Sequence, residues 1–369
     1  MSNSQTQVSP GLWALAWRRL RADKVAMISM TVVVVFLLTI LASFTGVVAA
    51  DWSDEVGVNY APPGFVGADS AAAHPNAPLA KEEALPENPL DPLADVIREL
   101  RAQSGSSAPV VVNDYGIPDP LAKEMAEIRH DLAKAGVKTV AVRQATLPFG
   151  ADKWGHDIVK KTIKGAETSI VVGLVAALLA TVLGTLFGAL SGYYGKWVDD
   201  FFNWFYSIFT SVPYLLLILS VAAVLQKKGV LTIVLILGLT GWTGAYRLIR
   251  AEYIKHKSRE YVMAADAIGA SHWRKMFSHI FPNISHVALV QMSILVVGFI
   301  KSEVILSFLG FGVPVGVVSW GSMLNEAQNE LILGKWWQLV AASIGMAVLV
   351  TAFSLFTDAL RDALDPKLK

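Results

Sequence analysis

The stretch EYVMAADAIGASHWRKMFSHIFP, residues 260–282, lies between two apolar runs that are each long enough to cross a bilayer. The stretch itself is too polar to cross and too long for a turn. Residues 260–268 are rich in alanine and predict a helix, which Gly269 ends with a positive φ angle. Ser271 caps a second predicted helix, and Pro282 marks the boundary to the next apolar run. We predict a helix-turn-helix on one membrane face, which either rests on lipid headgroups or docks a soluble partner.

The composition is that of a membrane protein. Of the 369 residues, 54% are hydrophobic and only 17% are charged, whereas soluble domains have about 25% charged residues. The net charge of +1 creates no field that would attract nucleic acid. Cysteine is absent, which excludes disulfides and thiolate ligands.

Six apolar segments are long enough to span a bilayer, because a helix needs about 20 residues to cross ~30 Å. Backbone groups in lipid must be satisfied within their own segment, so each span is predicted to be a helix. The predicted spans are residues 25–50, 169–192, 201–225, 229–248, 285–309 and 336–356. The predicted fold class is an all-α polytopic membrane protein with six transmembrane helices.

The distribution of lysine and arginine predicts the orientation of the spans. Basic residues gather before the first span, in the loop after the fourth and after the sixth, and six spans place all three on one side, the cytoplasm. Lys227 and Lys228 lie on the opposite side and are outnumbered. The predicted domains are a cytoplasmic N-terminal tail (1–24), a first helix (25–50), an external insertion (51–164), a five-helix core (165–360) with a cytoplasmic loop (251–284), and a cytoplasmic C-terminal tail (361–369).

The external insertion changes character along its length. Residues 59–92 are rich in proline, alanine and asparagine and predict irregular structure. Residues 93–103 and 121–135 predict short helices, and 110–112 and 139–142 are short β-prone runs. Both a small α/β module and a loosely ordered loop are consistent with this pattern.

The chain lacks the sequence motifs of an enzyme. A phosphate-binding loop needs Gly-Lys followed by serine or threonine, but tryptophan follows both Gly195-Lys196 and Gly334-Lys335. No zinc-protease or serine-hydrolase motif occurs, and the histidines are scattered. We predict no catalytic residues, no metal site and no ATP hydrolysis by this chain alone.

Two features within the spans are candidates for helix packing or for a transport pathway. Gly184, Gly188 and Gly192 recur every four residues, a spacing that lets helices approach closely in lipid, either within the chain or against a sister subunit. Lys301 and Glu303 place charge in the fifth span, where charge is costly. Their positions indicate interfacial anchoring with a polar contact to a neighbouring helix, or the lining of a polar pathway.

Five short motifs, in one order among the six spans, together resemble a known family. Glu260, Tyr261, Ala264, Ala265 and Gly269, followed by Ile280 and Pro282, resemble the "EAA" loop of ABC importer transmembrane subunits. The other four motifs resemble segments of the C-type permease of dipeptide and oligopeptide importers; they are residues 149–157, 303–312 (which include Ser307), 320–324 and 358–366. Met263 departs from the family pattern, which has an acidic residue there, and His156 replaces an arginine.

The resemblance implies a type I ABC importer fold with an unusually long insertion after the first helix. It implies an assembly in the bacterial inner membrane with two ATP-binding subunits, a second permease subunit and an external solute-binding protein, and a peptide as substrate. ATP and magnesium would be bound by the partners and by no site in this chain. The loop around residues 260–269 would occupy a groove of an ATPase subunit.

Two other classes remain as alternatives. A secondary transporter driven by an ion gradient would need acidic residues deep in the spans and broken helices near the midplane, yet the spans are nearly free of charge. A membrane scaffold whose active part is the external insertion would need a binding or catalytic constellation there, and none is recognisable.

Overall fold

The computed structural model describes residues 12–67 and 143–364. The helices and β-prone runs predicted between residues 93 and 142 lie outside this part. The described residues form helices, turns and four isolated β-bridges, without a longer strand. The prediction of an all-α protein is thereby confirmed.

Eleven α-helices and one π-helical segment make up the described chain. They are α1 Leu12–Ala22, α2 Lys24–Phe44, α3 Ile158–Tyr194, α4 Lys196–Thr210, α5 Tyr214–Leu225, α6 Val230–Thr240, α7 Thr243–Lys257, α8 Glu260–Ala267, the π segment Arg274–Ile280, α9 Phe281–Phe308, α10 Trp320–Ile332 and α11 Trp337–Leu364. By length and composition, the described residues contain five helical stretches that can span a membrane. The bent pair α4–α5 adds a sixth if the two helices together form one span.

Several span boundaries differ from those that hydropathy predicts. The second span begins at Ile158 rather than at 169, because Asp157 caps α3 by accepting hydrogen bonds from the backbone of Val159 and Lys160. The polar first turns of α3 therefore belong to the helix and not to the external insertion. The first span ends at Phe44 instead of 50.

The third span is not the single helix predicted for residues 201–225. It is divided into α4 and α5, whose axes differ by 83°. The break falls at Ser211-Val212-Pro213, where proline offers no backbone N–H to continue the helix and restricts the residue before it. A sliding hydropathy window averages over this break and does not detect it.

The predicted boundary at Pro282 is also wrong. The helix that begins after the turn runs through the π segment directly into α9. The N–H of Phe281 donates to the carbonyl of Met276, five residues earlier, so the chain stays hydrogen-bonded up to the proline. Pro282 lies in the first turn of α9, where its missing N–H is tolerated.

Helix α3 is the centre of the bundle and packs against α7, α9, α6, α2 and α11. At one end of the bundle, α1 and the end of α11 pack against α2 and α9 through an apolar cluster, and Arg19 donates to the carbonyl of Ala363 at 3.2 Å. At the opposite end, three of the four bridges join the segments 51–67 and 143–157, and the fourth lies within 143–157. Trp337 of α11 donates to the carbonyl of Ala151 at 2.7 Å. The two described ends of the chain thus lie at the same end of the bundle as the start of α9.

Candidate functional site

We define the docking segment as residues 260–282. Its helix α8 buries Val262 and Ala265 against a cluster that includes Tyr253, Met276 and Ile280. The opposite face of α8 is open, and Glu260, Tyr261 and Ala264 are exposed there. The residues predicted to couple the chain to a partner thus divide into an inner set that packs and an outer set that is free to make contacts.

The turn after α8 has the conformation that the sequence predicts. Gly269 has a φ of +79°, the left-handed region that glycine enters at little cost. The N–H of Ala270 donates to the carbonyl of Ala265 at 3.0 Å, and the N–H of Gly269 donates to the carbonyl of Asp266 at 2.9 Å. This pair of bonds is a Schellman motif, which closes the helix and reverses the chain.

Large apolar side chains project from the docking segment. Met263 is 55% exposed, Ile268 84% and Trp273 56%, and the Trp273 ring stacks on Phe277 with 5.2 Å between ring centroids. Exposed methionine and aromatic side chains are typical of protein interfaces. Met263, which departs from the family pattern, therefore adds apolar surface where that pattern has a charge.

Polar contacts fasten the docking segment to the spanning helices. The hydroxyl of Tyr253 on α7 donates to the carbonyl of Met276 at 3.1 Å, and the hydroxyl of Tyr193 on α3 lies 3.0 Å from Nδ1 of His272. Asp266 forms an ion pair with Lys275, and the lysine lowers the pKa of that carboxyl below its ordinary value. Movement of α8 would be passed to α3, α7 and α9 through these contacts.

The glycine stripe of α3 faces α7 of the same chain. A Cβ atom added at Gly184 would lie 2.5 Å from Cβ of Ala245, and one added at Gly192 would lie 2.6 Å from the carbonyl oxygen of Arg250. Gly188 is equally close, at 2.9 Å from the carbonyl oxygen of Tyr246. All three glycines therefore lie in an intramolecular contact, and none of them is free to receive a sister subunit.

Glu303 lies deep in the bundle. It is 0% exposed, and its two oxygens accept hydrogen bonds of 2.6 Å from the hydroxyls of Ser169 on α3 and Ser307 on α9. The backbone N–H of Trp320 donates to Ser169 at 3.3 Å, which adds α10 to the cluster. Glu303 and Ser307 are thus placed in a contact between helices and not on an open surface, while Lys301 is exposed.

A second polar cluster, which sequence patterns do not predict, joins the segment 143–157, α3, α10 and α11 at the end of the bundle opposite α1. Lys161 on α3 donates to Asp152 at 2.7 Å, to Glu326 at 2.6 Å and to Gln338 at 3.2 Å. Burial alone would raise the pKa of Asp152, but the ammonium of Lys161 outweighs that effect and holds the pKa below its ordinary value. Asp152 belongs to a motif quoted above, but the partners of Lys161 on α10 and α11 lie 165 and 177 positions away, too far for any local pattern.

Glu330 on α10 adjoins this cluster. It is 2% exposed, and none of the described residues forms a hydrogen bond of good geometry with either carboxylate oxygen. Burial raises the pKa of Glu330 to about 7, although the charge of Lys161 opposes the rise. Over the described ranges, no group of three or more His, Asp or Glu side chains is arranged to hold a metal ion.

The chain is similar to proteins of known class. Residues 184–369 match the family described as "Binding-protein-dependent transport system inner membrane component", and residues 11–63 match "N-terminal TM domain of oligopeptide transport permease C". The dipeptide transport system permease protein DppC of Bacillus subtilis is 34% identical over 251 residues, 66% of this chain and 78% of that protein.

Two further relatives differ in their named cargo. The oligopeptide transport system permease protein OppC of Bacillus subtilis is 37% identical over 221 residues, 60% of this chain and 72% of that protein. The peptidoglycan transport system permease protein YejE of Agrobacterium fabrum is 33% identical over 219 residues, 59% of this chain and 57% of that protein.

Proposed function

The chain belongs to the family of binding-protein-dependent transport system inner membrane components, and from that premise we propose that it forms one half of a pathway for dipeptides or oligopeptides. The names of the relatives DppC and OppC support this class of cargo. The chain is a permease subunit and not itself an enzyme. The energy for transport has to come from separate ATPase subunits, which bind ATP and magnesium.

The docking segment is the observation that carries the proposal. It combines an open helix face, a rigid Schellman turn and exposed apolar side chains at one end of the bundle. A groove on an ATPase subunit would receive α8, with Met263, Ile268 and Trp273 as the apolar contacts. Glu260 and Tyr261 would lie at the edge of the same contact.

Transport would follow from a switch between two packings of the spanning helices. ATP binding supplies the free-energy difference between the two states, because ATP binds to the partner in only one of them with high affinity. The docking segment would transmit the change, since the π segment is continuous with α9 and Tyr253 ties it to α7. Gly269 holds the reversal in the chain that keeps α8 against these helices.

The complete assembly would contain two ATPase subunits, a second permease subunit and an external solute-binding protein. Both termini and the docking segment would face the cytoplasm of a bacterial cell, and the cluster around Lys161 would face outward. The basic residues before α2 and around α8 support this orientation. The insertion between α2 and α3 would then lie outside the inner membrane, where it would contact the solute-binding protein or cover the pore.

A crosslinking experiment tests the docking proposal directly. The chain contains no cysteine, so one cysteine can be introduced at Ile268 on the docking segment and, as a control, at Val66 on the opposite end, where the side chain is also exposed. Membranes from cells with the intact transport system are treated with a short thiol crosslinker, and the products are identified by mass spectrometry. We expect Ile268→Cys to crosslink to a P-loop ATPase and Val66→Cys not to do so.

The same membranes test the rest of the assembly. Purification of the tagged chain in mild detergent should recover ATPases, a second permease subunit and a solute-binding protein whose bound ligand is a peptide. Recovery of the chain alone from crosslinked membranes would contradict the proposed assembly, and a non-peptide ligand would contradict the proposed cargo. A deletion of residues 68–142 that changes neither transport nor retention of the solute-binding protein would refute the role of the insertion.

A further inference from the structure

A polar cavity of about 350 Å³ lies behind the docking helix. Its walls are the ends of α3 and α7, the inner side of α8 and the beginning of the π segment. Its polar lining consists of Tyr193, Tyr194, Lys257, Asp266, His272 and Lys275. Small-molecule sites occupy roughly 300–1,000 Å³, so the cavity is large enough for a ligand headgroup.

The charge of this cavity favours an anion. Two lysines and a histidine face a single carboxylate, and that carboxylate, Asp266, is engaged by Lys275. The Nζ atom of Lys257 lies 5.5 Å from the centroid of the Tyr193 ring. None of the described carboxylates forms an ion pair with Lys257, which leaves its charge uncompensated at the mouth of the cavity.

The hydrogen-bonding groups around the cavity suit phosphate oxygens. A lysine ammonium carries three donors and no acceptor, and a tyrosine hydroxyl and a histidine ring nitrogen each add one. The hydroxyl of Tyr193 and Nδ1 of His272 already bond to each other at 3.0 Å, which orients both rings at the cavity wall. Hydrogen bonds from cations to phosphate are short and about twice as strong as neutral ones.

The position of the cavity favours a membrane lipid as the source of a phosphate group. It lies where the spanning helices α3 and α7 end, at Tyr194 and Lys257. The exposed side chains of Tyr194 and Trp197 adjoin the end of α3, and tyrosine and tryptophan are enriched at the level of lipid headgroups. Basic pockets between spanning helices bind anionic headgroups. We propose that this cavity binds the phosphate group of an anionic lipid in the leaflet beside the docking segment.

A bound headgroup would join the docking helix to the spanning helices. It would contact Lys257 on α7 and compete with Asp266 for Lys275, since Asp266 is exposed and free to turn into water. The lipid would thereby set how tightly α8 is held against α3.

Native mass spectrometry of the full chain in detergent tests the proposal, with phosphatidylglycerol as the titrated probe. One lysine near an anionic surface contributes about 1 kcal/mol, so Lys257→Gln should weaken lipid retention about fivefold. Lys255→Gln removes the same charge two residues away, outside the cavity, and should leave retention unchanged. Lys257→Arg should restore most of the retention, and the thermal unfolding midpoints of all three variants should match that of the wild type.

Three results would overturn the proposal. Equal weakening by Lys255→Gln and Lys257→Gln would mean that the surface charge acts diffusely, without a site. Equal retention of phosphatidylcholine would remove the need for an anionic headgroup. Displacement of the lipid by inorganic phosphate at comparable concentration would reassign the cavity to a soluble anion.

Discussion

The replacement of Glu330 by glutamine should make the protein more stable above neutral pH. In the fold, burial raises the pKa of this carboxyl to about 7 from its ordinary 4.5. Between these two pH values the folded chain holds a proton that the unfolded chain has released, so stability falls as the pH rises through this window. Below pH 4.5 both states are protonated, and the contribution of Glu330 is fully present.

The size of the effect follows from the two pKa values. Each pKa unit corresponds to about 1.4 kcal/mol, so the difference between about 7 and 4.5 amounts to roughly 3.5 kcal/mol when the window has been crossed. Lys161 faces Glu330 from α3, Asp152 and Lys153 face it from the segment 143–157, and Glu326 lies on the same helix. The pKa of Asp152 is lowered, so this carboxylate stays charged throughout the window and does not account for the change.

The prediction is tested by the midpoint of thermal unfolding in detergent, monitored by tryptophan fluorescence, at pH values from about 5 to about 8. Glutamine matches the protonated carboxyl in size and carries no charge, so Glu330→Gln should have a flatter pH profile than the wild type and a higher midpoint at the alkaline end. Glu260→Gln on α8 removes an exposed carboxylate and serves as the control, with a slope like that of the wild type. Parallel profiles for Glu330→Gln and the wild type would refute the reasoning.

Further substitutions test the packing and the docking segment. Gly184→Ala should destabilise the chain by about 1–3 kcal/mol through overpacking against α7, whereas Gly298→Ala, with no atom within 4 Å of its new Cβ, should be neutral or stabilising in the same unfolding assay. Gly269→Val should lower uptake while ATP hydrolysis continues, because valine at φ +79° carries a backbone strain of about 1–2 kcal/mol that the turn relieves by changing conformation. Gly269→Asn, which tolerates this φ angle, should transport normally. Normal uptake by the valine variant would contradict the role of the turn. Glu303→Leu leaves two buried hydroxyls without an acceptor and should lower the free energy of unfolding by about 1–3 kcal/mol for each. Glu303→Gln keeps an acceptor oxygen and is the control. Equal stability of the two variants would show that the cluster does not hold the helices together.

Local chemistry made some of this structure predictable. The helix at residues 260–267 and the left-handed Gly269 depend on neighbours within six residues, and both were evident from helix propensity and glycine chemistry. The same kind of reasoning failed at Pro282, since the local rule that proline ends a helix does not anticipate a preceding π segment. Hydropathy failed at the break before Pro213, because its window averages the proline with the apolar residues on both sides.

The polar clusters could not be predicted because their members are distant in the chain. Lys161 and Gln338 are separated by 177 positions, and Ser169 and Glu303 by 134. A sequence reveals that an ionisable residue lies in an apolar setting but not which residue forms a hydrogen bond with it. Helices α1 and α10 were missed for another reason: α1 has 11 residues and α10 has 13, both too short for a window that searches for spans.

The sharp bend between α4 and α5 has a consequence for the surrounding bilayer. At 1.5 Å per residue, α4 is about 22 Å long and α5 about 18 Å, and with axes 83° apart only one of them can follow the membrane normal. Either length is about 10 Å short of the ~30 Å hydrocarbon layer. Lipid tails beside this part of the chain would have to compress or be replaced by another protein surface, and such mismatch favours helix association. Lipid therefore solvates α4 and α5 poorly, and a partner protein that covers them would relieve the mismatch.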